Sequence, residues 1–485
     1  MNKANNRGPY HRTAVLLLVA ALPTALLTHS PGCAEGANSN PEPFDREGNP
    51  VNAGKEAMEM APMEDCFWVG SIGSNDGWNA FYPGPSMSYP LSGFDVPDGA
   101  ELRLEGEFPH ARFFSFTMYY PGLGSSTGIG GSQALVDTSI EPDPGSVNPY
   151  LDGADRNAEN RRFTVYFAEG NLPPDPADRE PNTIYLGPAF PIQALRHALG
   201  MRVYLPDKDT NAIGGVELPT PVLRLADGTE LRGADACPML TGAFAGRVPV
   251  FPSIGFDPAA YRAARDNPEL YPNTHPAQNP PVWNRVWNQS FNFCITFTPE
   301  QDCGPTPTPD PNGPAGFGNP ANGYLETWID RKHGEVLVLR GKKPITPTTY
   351  FGDGTADTGE EMRFFSITST ESQYTWSQID DVFDEEIPVD EDGFYTVVVS
   401  RPHQRPANAN YNCGVAWVEF PPGGDGFGDL HLARLVLRQT RPQDSFPSSV
   451  NNVMERGDEA EVMGDHYPRG EYMSKQDFES RYGCP

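Results

Sequence analysis

The sequence lacks several short motifs that identify common catalytic and metal sites. It contains no H-E-x-x-H, no paired C-x-x-C and no phosphate-binding loop. Beyond the amino-terminal segment, no two histidines have the i, i+2 or i, i+4 spacing common in metal sites; they are His110, His197, His275, His333, His403, His431 and His466. These absences lower the expectation of an enzyme without excluding one, because a site assembled from distant loops leaves no linear motif.

Lysine is also scarce, since only seven of the 35 basic residues are lysine and the rest are arginine. With 64 acidic residues the formal net charge is -29. A field of this sign repels phosphate backbones and anionic lipid, so nucleic acid is not an expected partner. Solubility outside the cell, or tolerance of salt, explains the acidity more simply than dedicated cation binding.

A long apolar run occurs only near the amino terminus. Lys3, Arg7 and Arg12 precede an apolar segment over residues 13–27, and small and polar residues follow it. This layout predicts a secretory signal over residues 1–34, because the run is shorter than the roughly 18 residues that a spanning helix needs. Residues 35–60 are rich in Pro, Asn and Glu and predict a flexible stem. We therefore expect an exported protein: extracellular, periplasmic or anchored to the outer membrane.

Cys33 leaves two forms of the mature amino terminus open. The small residue Gly32 before it is typical of a bacterial lipoprotein signal, although the usual Leu three residues before the Cys is missing. Acylation of Cys33 would attach the protein to a membrane through lipid alone. Ordinary cleavage after Ala34 would release it.

An even set of six further cysteines predicts disulfides, because an exported chain matures in an oxidising compartment and the spacings are long. We expect Cys66 to pair with Cys484 and so join the two ends of the chain, and the short Cys294 to Cys303 interval suggests a local loop; the spacing alone leaves the connectivity open. The six residues are Cys66, Cys237, Cys294, Cys303, Cys413 and Cys484.

One order of sequence features occurs twice along the chain. In each copy, two leucines alternate with other residues, a Gly and a Pro follow, and then comes an Arg-aromatic-aromatic-Ser run. Each copy continues through an acidic turn, a strand-like run and a Pro- and Asn-containing loop to an arginine in a final alternating run. The corresponding stretches are Leu102 to Thr117 with Arg202 to Leu205, and Leu337 to Thr368 with Arg434 to Leu437. A repeated order of this kind predicts a repeated structural unit.

Short alternating runs separated by Gly, Pro, Asn and Asp predict a mainly β protein with two tandem antiparallel β-sandwich domains. Leu102 and Leu104 should point inward, as should Leu337 and Leu339, while their neighbours face water. We predict sandwiches over 61–237 and 323–442. Between them, residues 238–322 should form an irregular Pro-rich connecting segment that contains a short helix. Residues 443–485 should form a tail with short helices.

Two acidic segments are candidates for calcium binding. Asp207, Asp209 and Asn211 place oxygen ligands at alternate positions, but Ala212 and Leu218 stand where a calcium loop has Gly and Glu. A polar turn after a strand is therefore favoured. The second segment, 380–392, contains eight acids, and we expect a solvated loop in which Asp381 and Asp384 are weaker metal candidates. Apart from calcium, no cofactor is predicted.

Four arginines occur at repeated positions, Arg112 with Arg363 and Arg202 with Arg434, and are candidates for binding an anionic or sugar ligand through the planar guanidinium fork. The structural alternative, in which a half-buried Arg satisfies loop carbonyls or an Asp, is favoured. The aromatic residues beside them are expected to be core rather than a stacking surface.

The chain resembles a bacterial β-rich family of exported proteins that is known only as a domain of unknown function. The residues that carry this resemblance are Phe114 to Tyr119, Pro181 to Tyr185 and the closing Arg202-Val203-Tyr204-Leu205-Pro206. It implies a jelly-roll-like sandwich and an exported location, and it assigns no catalytic residue. The second copy departs from the pattern, with Val436 and Arg438 in place of the Tyr-x-Pro ending.

Three functions are compatible with these observations. The leading hypothesis is a non-enzymatic exported or envelope-associated binding protein whose ligand is unknown and could be a glycan. The second is an extracellular hydrolase of a polymer that uses loop carboxylates as acid and base; Asp137, Glu141, Asp381 and Glu385 are its candidates. The third is a calcium-stabilised structural surface protein.

Overall fold

The protein is described by a computed structural model over residues 67–73, 79, 84–121, 129–189, 196–240, 259, 263, 265–267, 277–287, 291, 302–304, 318–351, 360–372 and 377–484. The predicted signal with Cys33, the predicted stem, Cys66 and Cys294 lie outside these residues.

The first half of the described chain forms two five-stranded sheets. Their orders are β1-β2-β8-β4-β5 and β10-β9-β3-β6-β7. The strands are β1 (Trp68–Ile72), β2 (Met87–Phe94), β3 (Glu101–Glu107), β4 (Ala111–Pro121), β5 (Ile129–Val136), β6 (Arg162–Ala168), β7 (Thr183–Tyr185), β8 (His197–Pro206), β9 (Thr220–Arg224) and β10 (Glu230–Arg232).

The second half forms two further sheets, with the orders β11-β12-β18-β14-β15 and β17-β16-β13-β19. The strands are β11 (Asn284–Arg285), β12 (Asn322–Asp330), β13 (Val336–Lys342), β14 (Met362–Thr370), β15 (Gln378–Phe383), β16 (Phe394–Ser400), β17 (Ala416–Glu419), β18 (Leu432–Pro442) and β19 (Arg469–Met473). Short helices are α1 (Cys237–Leu240), α2 (Glu459–Met463) and α3 (Lys475–Arg481). None of the helices in the described ranges is long and apolar enough to cross a bilayer.

The two halves have the same strand connectivity. Strands β2-β8-β4-β5 correspond to β12-β18-β14-β15, and β9-β3-β6-β7 correspond to β19-β13-β16-β17. Each half contains one parallel pair at the same place, β6 with β7 and β16 with β17, whereas the other strand pairs of the four sheets are antiparallel. The predicted mainly β fold, with two antiparallel β-sandwiches, is confirmed.

Each sandwich has its own apolar core between its two sheets. Leu102 and Leu104 are buried in the first core, and Leu337 and Leu339 in the second, as predicted. The repeated glycine of this strand has a packing reason in both copies. A Cβ atom on Gly106 would lie 2.9 Å from the Phe163 ring, and one on Gly341 would lie 2.7 Å from the hydroxyl of Tyr395. An aromatic ring on the neighbouring strand therefore requires glycine at both positions.

The two sandwiches pack against each other through one sheet each. We call β1-β2-β8-β4-β5 and β11-β12-β18-β14-β15 the central sheets. Phe114 and Phe365 point into the sandwich cores, whereas the preceding Phe113 and Phe364 lie in a third apolar cluster between the central sheets. The central strands β4, β8 and β14 are therefore buried on both faces.

The register of the central sheets corrects the predicted alignment of the arginines. Ser115 lies opposite Arg202, and the equivalent Ser366 lies opposite Arg438, not Arg434. Leu205 and Arg441 both have φ of 47°, and their N–H groups donate to Ser86 and Ala321 at 2.8 Å. Arg438 to Pro442 is thus the counterpart of Arg202 to Pro206. The sequence comparison missed it because only the Arg and the Pro are identical.

Each sandwich donates an arginine to a carboxylate of the other. Arg112 of the first contacts Asp384 of the second at 3.0 Å, and Arg363 of the second contacts Asp137 of the first at 3.3 Å. Each carboxylate also accepts from its own sandwich, Asp137 from the Phe114 N–H and Asp384 from the Phe365 N–H. We call this arrangement the crossed arginine pairs.

The acidic segment that starts at Asp380 is not the solvated loop that the sequence predicted. All five acids between Asp380 and Glu386 are buried. Glu385 accepts from the guanidinium of Arg112 and from the N–H groups of Thr349 and Phe351. The high density of acidic residues predicted a loop exposed to solvent. Inside the protein, however, an arginine and backbone N–H groups of neighbouring elements compensate the buried carboxylates.

The second sandwich extends beyond the predicted 323–442, because β11 and β19 belong to its sheets. The carboxyl-terminal tail packs on it, with Phe478 of α3 buried against Val336 and Val338. The predicted Cys66–Cys484 pair is wrong, since Cys484 forms a disulfide with Cys413 across 71 residues. Cys237 and Cys303 each take part in a disulfide as well. The tail packs on its own sandwich, and this packing brings Cys484 beside Cys413.

Replacing Arg112 with Gln should lower the free energy of unfolding by about 3–5 kcal/mol, because it leaves Asp384 and Glu385 buried without their cation. Chemical denaturation followed by tryptophan fluorescence measures this change. Arg340→Gln is the matched control: Arg340 contacts Asp390 where both side chains are largely exposed, so its loss should cost less than about 1 kcal/mol. Equal effects of the two substitutions would show that Asp384 and Glu385 do not depend on Arg112 for charge compensation.

Removing the disulfide by the double substitution Cys413→Ser and Cys484→Ser should cost about 4 kcal/mol, because the bond closes a loop of 71 residues in the unfolded chain. Denaturation under non-reducing conditions measures the loss, because reduction would also break the disulfides of Cys237 and Cys303. A variant as stable as the oxidised wild type would show that the tail is held by its packing alone.

Candidate functional site

Polar side chains lie between the central sheets, in addition to the apolar cluster described above. The alternation of β4, β8, β14 and β18 directs one set of residues into the sandwich cores and the other set into this layer. We call the second set the central polar layer; it contains Tyr89, Ser115, Thr117, Tyr119, Arg202, Tyr204, Asn319, Asn322, Tyr324, Ser366, Thr368 and Arg438, all of them buried except Tyr324, which is partly buried.

The first copy contributes Arg202 to this layer. Its guanidinium lies 4.5 Å from the centre of the Tyr89 ring, and its Nη2 donates to the Tyr119 hydroxyl at 2.6 Å. Its Nη1 approaches the Tyr204 hydroxyl at 3.5 Å. Tyrosine rings and hydroxyls thus hold this arginine through cation–π contact and hydrogen bonds.

The second copy contributes Arg438 at the equivalent position. Tyr324 is its register partner on β12, and the guanidinium lies 5.4 Å from the centre of that ring. It also lies 5.6 Å from the ring of Tyr204, which comes from the first copy. The duplication therefore brings two equivalent tyrosine–arginine–serine sets together on either side of Tyr204.

Tyr204 accepts hydrogen bonds at the middle of the layer. Its hydroxyl oxygen receives the side-chain amide of Asn322 at 2.9 Å and that of Asn319 at 3.3 Å. Burial opposes ionisation, but the positive charges of Arg202 and Arg438 outweigh it and lower the pKa of Tyr204 to about 8. Burial raises the pKa of Tyr89, Tyr119 and Tyr324.

Several buried polar atoms of the layer have no hydrogen-bond partner among the described residues. They are the hydroxyls of Thr117, Ser366 and Thr368 and the side-chain carbonyl of Asn322. Orphaned groups of this kind are costly and rare in folded proteins unless water or a ligand meets them. Together with two guanidinium groups, they supply donors and acceptors for a small polar anion.

The arginines selected from the sequence have different surroundings. All three guanidinium nitrogens of Arg112 donate to protein acceptors, and Arg363 contacts Asp137, so burial supports the structural interpretation of this pair. Arg202 lies in the central polar layer. Arg434 forms a buried ion pair with Glu326 and lies 5.5 Å from the Trp328 ring.

The calcium candidates have protein partners. Asp207 forms an ion pair with Arg156, and the side-chain oxygen of Asn211 accepts from the N–H groups of Ile213 and Gly215. Asp209 has φ of 69° and ends a turn. Within the ranges that the structure covers, no group of three or more His, Cys, Asp or Glu residues could hold a metal ion.

The carboxylates named for a hydrolase are also engaged in structure. Asp137 accepts from Arg363 and Arg441 with its two oxygens, and Glu385 accepts from Arg112 and backbone N–H groups. Asp381 accepts from the Ser86 hydroxyl at 2.8 Å. Asp384, which was a metal candidate, forms an ion pair with Arg112. Glu141 lies at the surface and its N–H donates to the side chain of Asn182.

Sequence reasoning missed Tyr204, Asn319, Asn322 and Arg438 as a group. A usable signal was present in the two segments Arg202 to Pro206 and Arg438 to Pro442, which share an Arg and a Pro at the same spacing. The asparagines precede and begin β12, and no linear pattern connects them with Tyr204.

Comparisons with known proteins add a distant structural similarity. No family model and no curated protein sequence matches the chain. The solved structure of an uncharacterised protein from Burkholderia cenocepacia is similar with a TM-score of 0.43 and 14% identity, over 88% of this chain and 87% of that one.

Proposed function

We propose that this chain is an exported, non-enzymatic binding protein and that the central polar layer binds a small anionic ligand. The observation that carries the proposal is the convergence of Arg202 and Arg438 on either side of Tyr204, inside a chain whose net charge is -29. Guanidinium groups are suited to carboxylate, sulfate and phosphate because their N–H groups form a planar fork. Two equivalent forks on opposite sheets can hold one anion between them.

The rest of the layer favours an acidic sugar as this ligand. The hydroxyls of Ser366 and Thr368, which have no hydrogen-bond partner among the described residues, match the hydroxyl groups of a sugar. The carboxylate of a uronic acid would then meet the arginines. All members of the layer except Tyr324 are buried, so we expect a ligand no larger than a monosaccharide. The glycan ligand expected from the sequence is consistent with this chemistry.

Export is supported by the signal-like amino terminus and by the Cys413–Cys484 disulfide, which would persist in an oxidising compartment. A hydrolase is not favoured, because Asp137 and Glu385 are occupied by arginines and backbone N–H groups. Calcium is not favoured either, because Asp207 forms an ion pair with Arg156 and Asn211 accepts hydrogen bonds from its own turn.

Isothermal titration calorimetry at pH 7 with glucuronate should detect binding to the wild-type protein, and glucose should give no signal because it lacks the charge. Arg202→Met and Arg438→Met should each weaken binding at least tenfold, since each removes one cation from the site. Inorganic sulfate and phosphate show whether the charge alone is sufficient.

Arg340→Gln serves as the matched control, since it removes an arginine at the surface, and should bind as the wild type does. Binding should also raise the thermal midpoint, because the ligand contacts both sandwiches and only the folded protein holds it. If none of the anions bind, or if both layer variants bind as tightly as the wild type, the proposed function is wrong.

A further inference from the structure

We propose that Tyr204 is the titrating group of the central polar layer: its phenolate is an internal anion between the two arginines, and an external anion binds with uptake of one proton by this oxygen. The inference rests on the proposed function for the external anion. The charge state of Tyr204 stands on the protein alone and is testable without a ligand.

The hydrogen bonds to Tyr204 are those of an oxyanion. Its oxygen faces three donors: Asn322 at 2.9 Å, Asn319 at 3.3 Å and Arg202 at 3.5 Å. The orientation of the Asn319 amide is fixed, because its oxygen accepts the N–H of Ala321 at 3.0 Å. Arg202 has no acceptor atom. These groups all favour the charged form of an oxygen over its neutral form.

The charges around Tyr204 act in the same direction. Titratable groups from both central sheets face Tyr204. Tyr89, Tyr119 and Arg202 lie on the same sheet as Tyr204, and Tyr324 and Arg438 lie on the other. Burial keeps the other three tyrosines neutral by raising the pKa of each, whereas the two guanidinium groups lower that of Tyr204 to about 8. One tyrosine of the four therefore ionises first.

Tyr204 has no tyrosine counterpart in the second copy. Phe113 lies opposite Tyr204 in the first copy, and the equivalent Phe364 lies opposite Thr440 in the second. A symmetric pair of phenolates would neutralise both arginines. A single one leaves a net charge of one, so that the layer retains attraction for an external anion.

The coupling follows from the charge balance. The charges of the two arginines and Tyr204 alone sum to +1 with Tyr204 ionised and to +2 with it protonated. The phenolate oxygen gains a proton from solvent, an O–H bond forms, and the external anion takes the place of the internal charge. Nothing is oxidised or reduced. Anion binding should therefore weaken as the pH rises above about 8.

Ultraviolet difference titration without ligand tests the charge of Tyr204. The wild type should show one tyrosine equivalent ionising near pH 8, which Tyr204→Phe should abolish. The matched control Tyr166→Phe removes an exposed tyrosine and should retain this step. Arg438→Gln should shift the step to higher pH. If the first ionisation occurs only near the ordinary tyrosine value of about 10, or persists in Tyr204→Phe, the inference is wrong.

Stability provides an independent check on the same group. The pKa of Tyr204 is lower in the folded protein than in the unfolded chain. Ionisation of Tyr204 therefore stabilises the folded protein fully above pH 10, and this contribution is lost as the pH falls through about 8. Relative to Tyr204→Phe, the wild type should therefore gain stability between pH 8 and pH 10. A constant difference over this range would contradict an ionising Tyr204.

Calorimetry with glucuronate as a function of pH tests the coupling. Above about pH 8 the wild-type association constant should fall about tenfold for each pH unit, and the fall should be absent in Tyr204→Phe. If both proteins show the same pH dependence, the coupling is overturned while the proposed function stands. If glucuronate binds at no pH, the proposed function and the coupling fail together, and the ultraviolet step alone decides the charge of Tyr204.

Discussion

Burial of both faces of the central sheets is the constraint on which the rest of this structure depends. A strand in an ordinary sandwich has one apolar face and one face in water, but β4, β8 and β14 have none in water. The polar residues that alternate along them must therefore find partners inside the protein. The crossed arginine pairs meet this requirement at one place, since each sandwich supplies a cation for the carboxylate of the other.

Tandem duplication explains why the partners match. Asp137 and Asp384 each accept the N–H of the second Phe of their own repeat, so a copy alone would already position the carboxylate. The arginine at the start of that repeat then reaches the opposite copy. One set of residues thus encodes both sides of the interface. A buried pair of this kind contributes mainly to specificity, because desolvation offsets much of its attraction, and the orientation of the two sandwiches is what it specifies.

The sequence predicted those features that local pattern controls. The alternating leucines, the repeated glycine opposite a ring and the two sandwiches all follow from the period of two along a strand and from packing against the neighbour. What it could not predict depends on contacts between distant segments. Nothing local distinguishes the buried acids at Asp380 to Glu386 from a solvated turn, because Arg112, the partner of Asp384 and Glu385, lies more than 250 residues away in the chain.

The alignment of Arg202 with Arg434 failed for a related reason. Apolar alternation is the same at Arg434 and at Arg438, so pattern alone cannot choose between registers that differ by an even number of residues. Hydrogen-bonded pairing with Ser366 chooses Arg438. The choice matters for the site, because it places a second arginine opposite Arg202 and beside Tyr204.

The positions at which the two copies differ indicate the proposed site better than the positions at which they agree. The crossed pairs need both copies to be alike, and there the residues agree. At the central polar layer the copies differ, because Tyr204 of the first copy has Thr440 as its equivalent in the second. Symmetric residues hold the two sandwiches in one orientation, and an unsymmetric residue on the strand next to β4 can then receive hydrogen bonds and charge from both copies at once. A site at a duplicated interface therefore needs only one changed residue to acquire a property that neither copy could have alone.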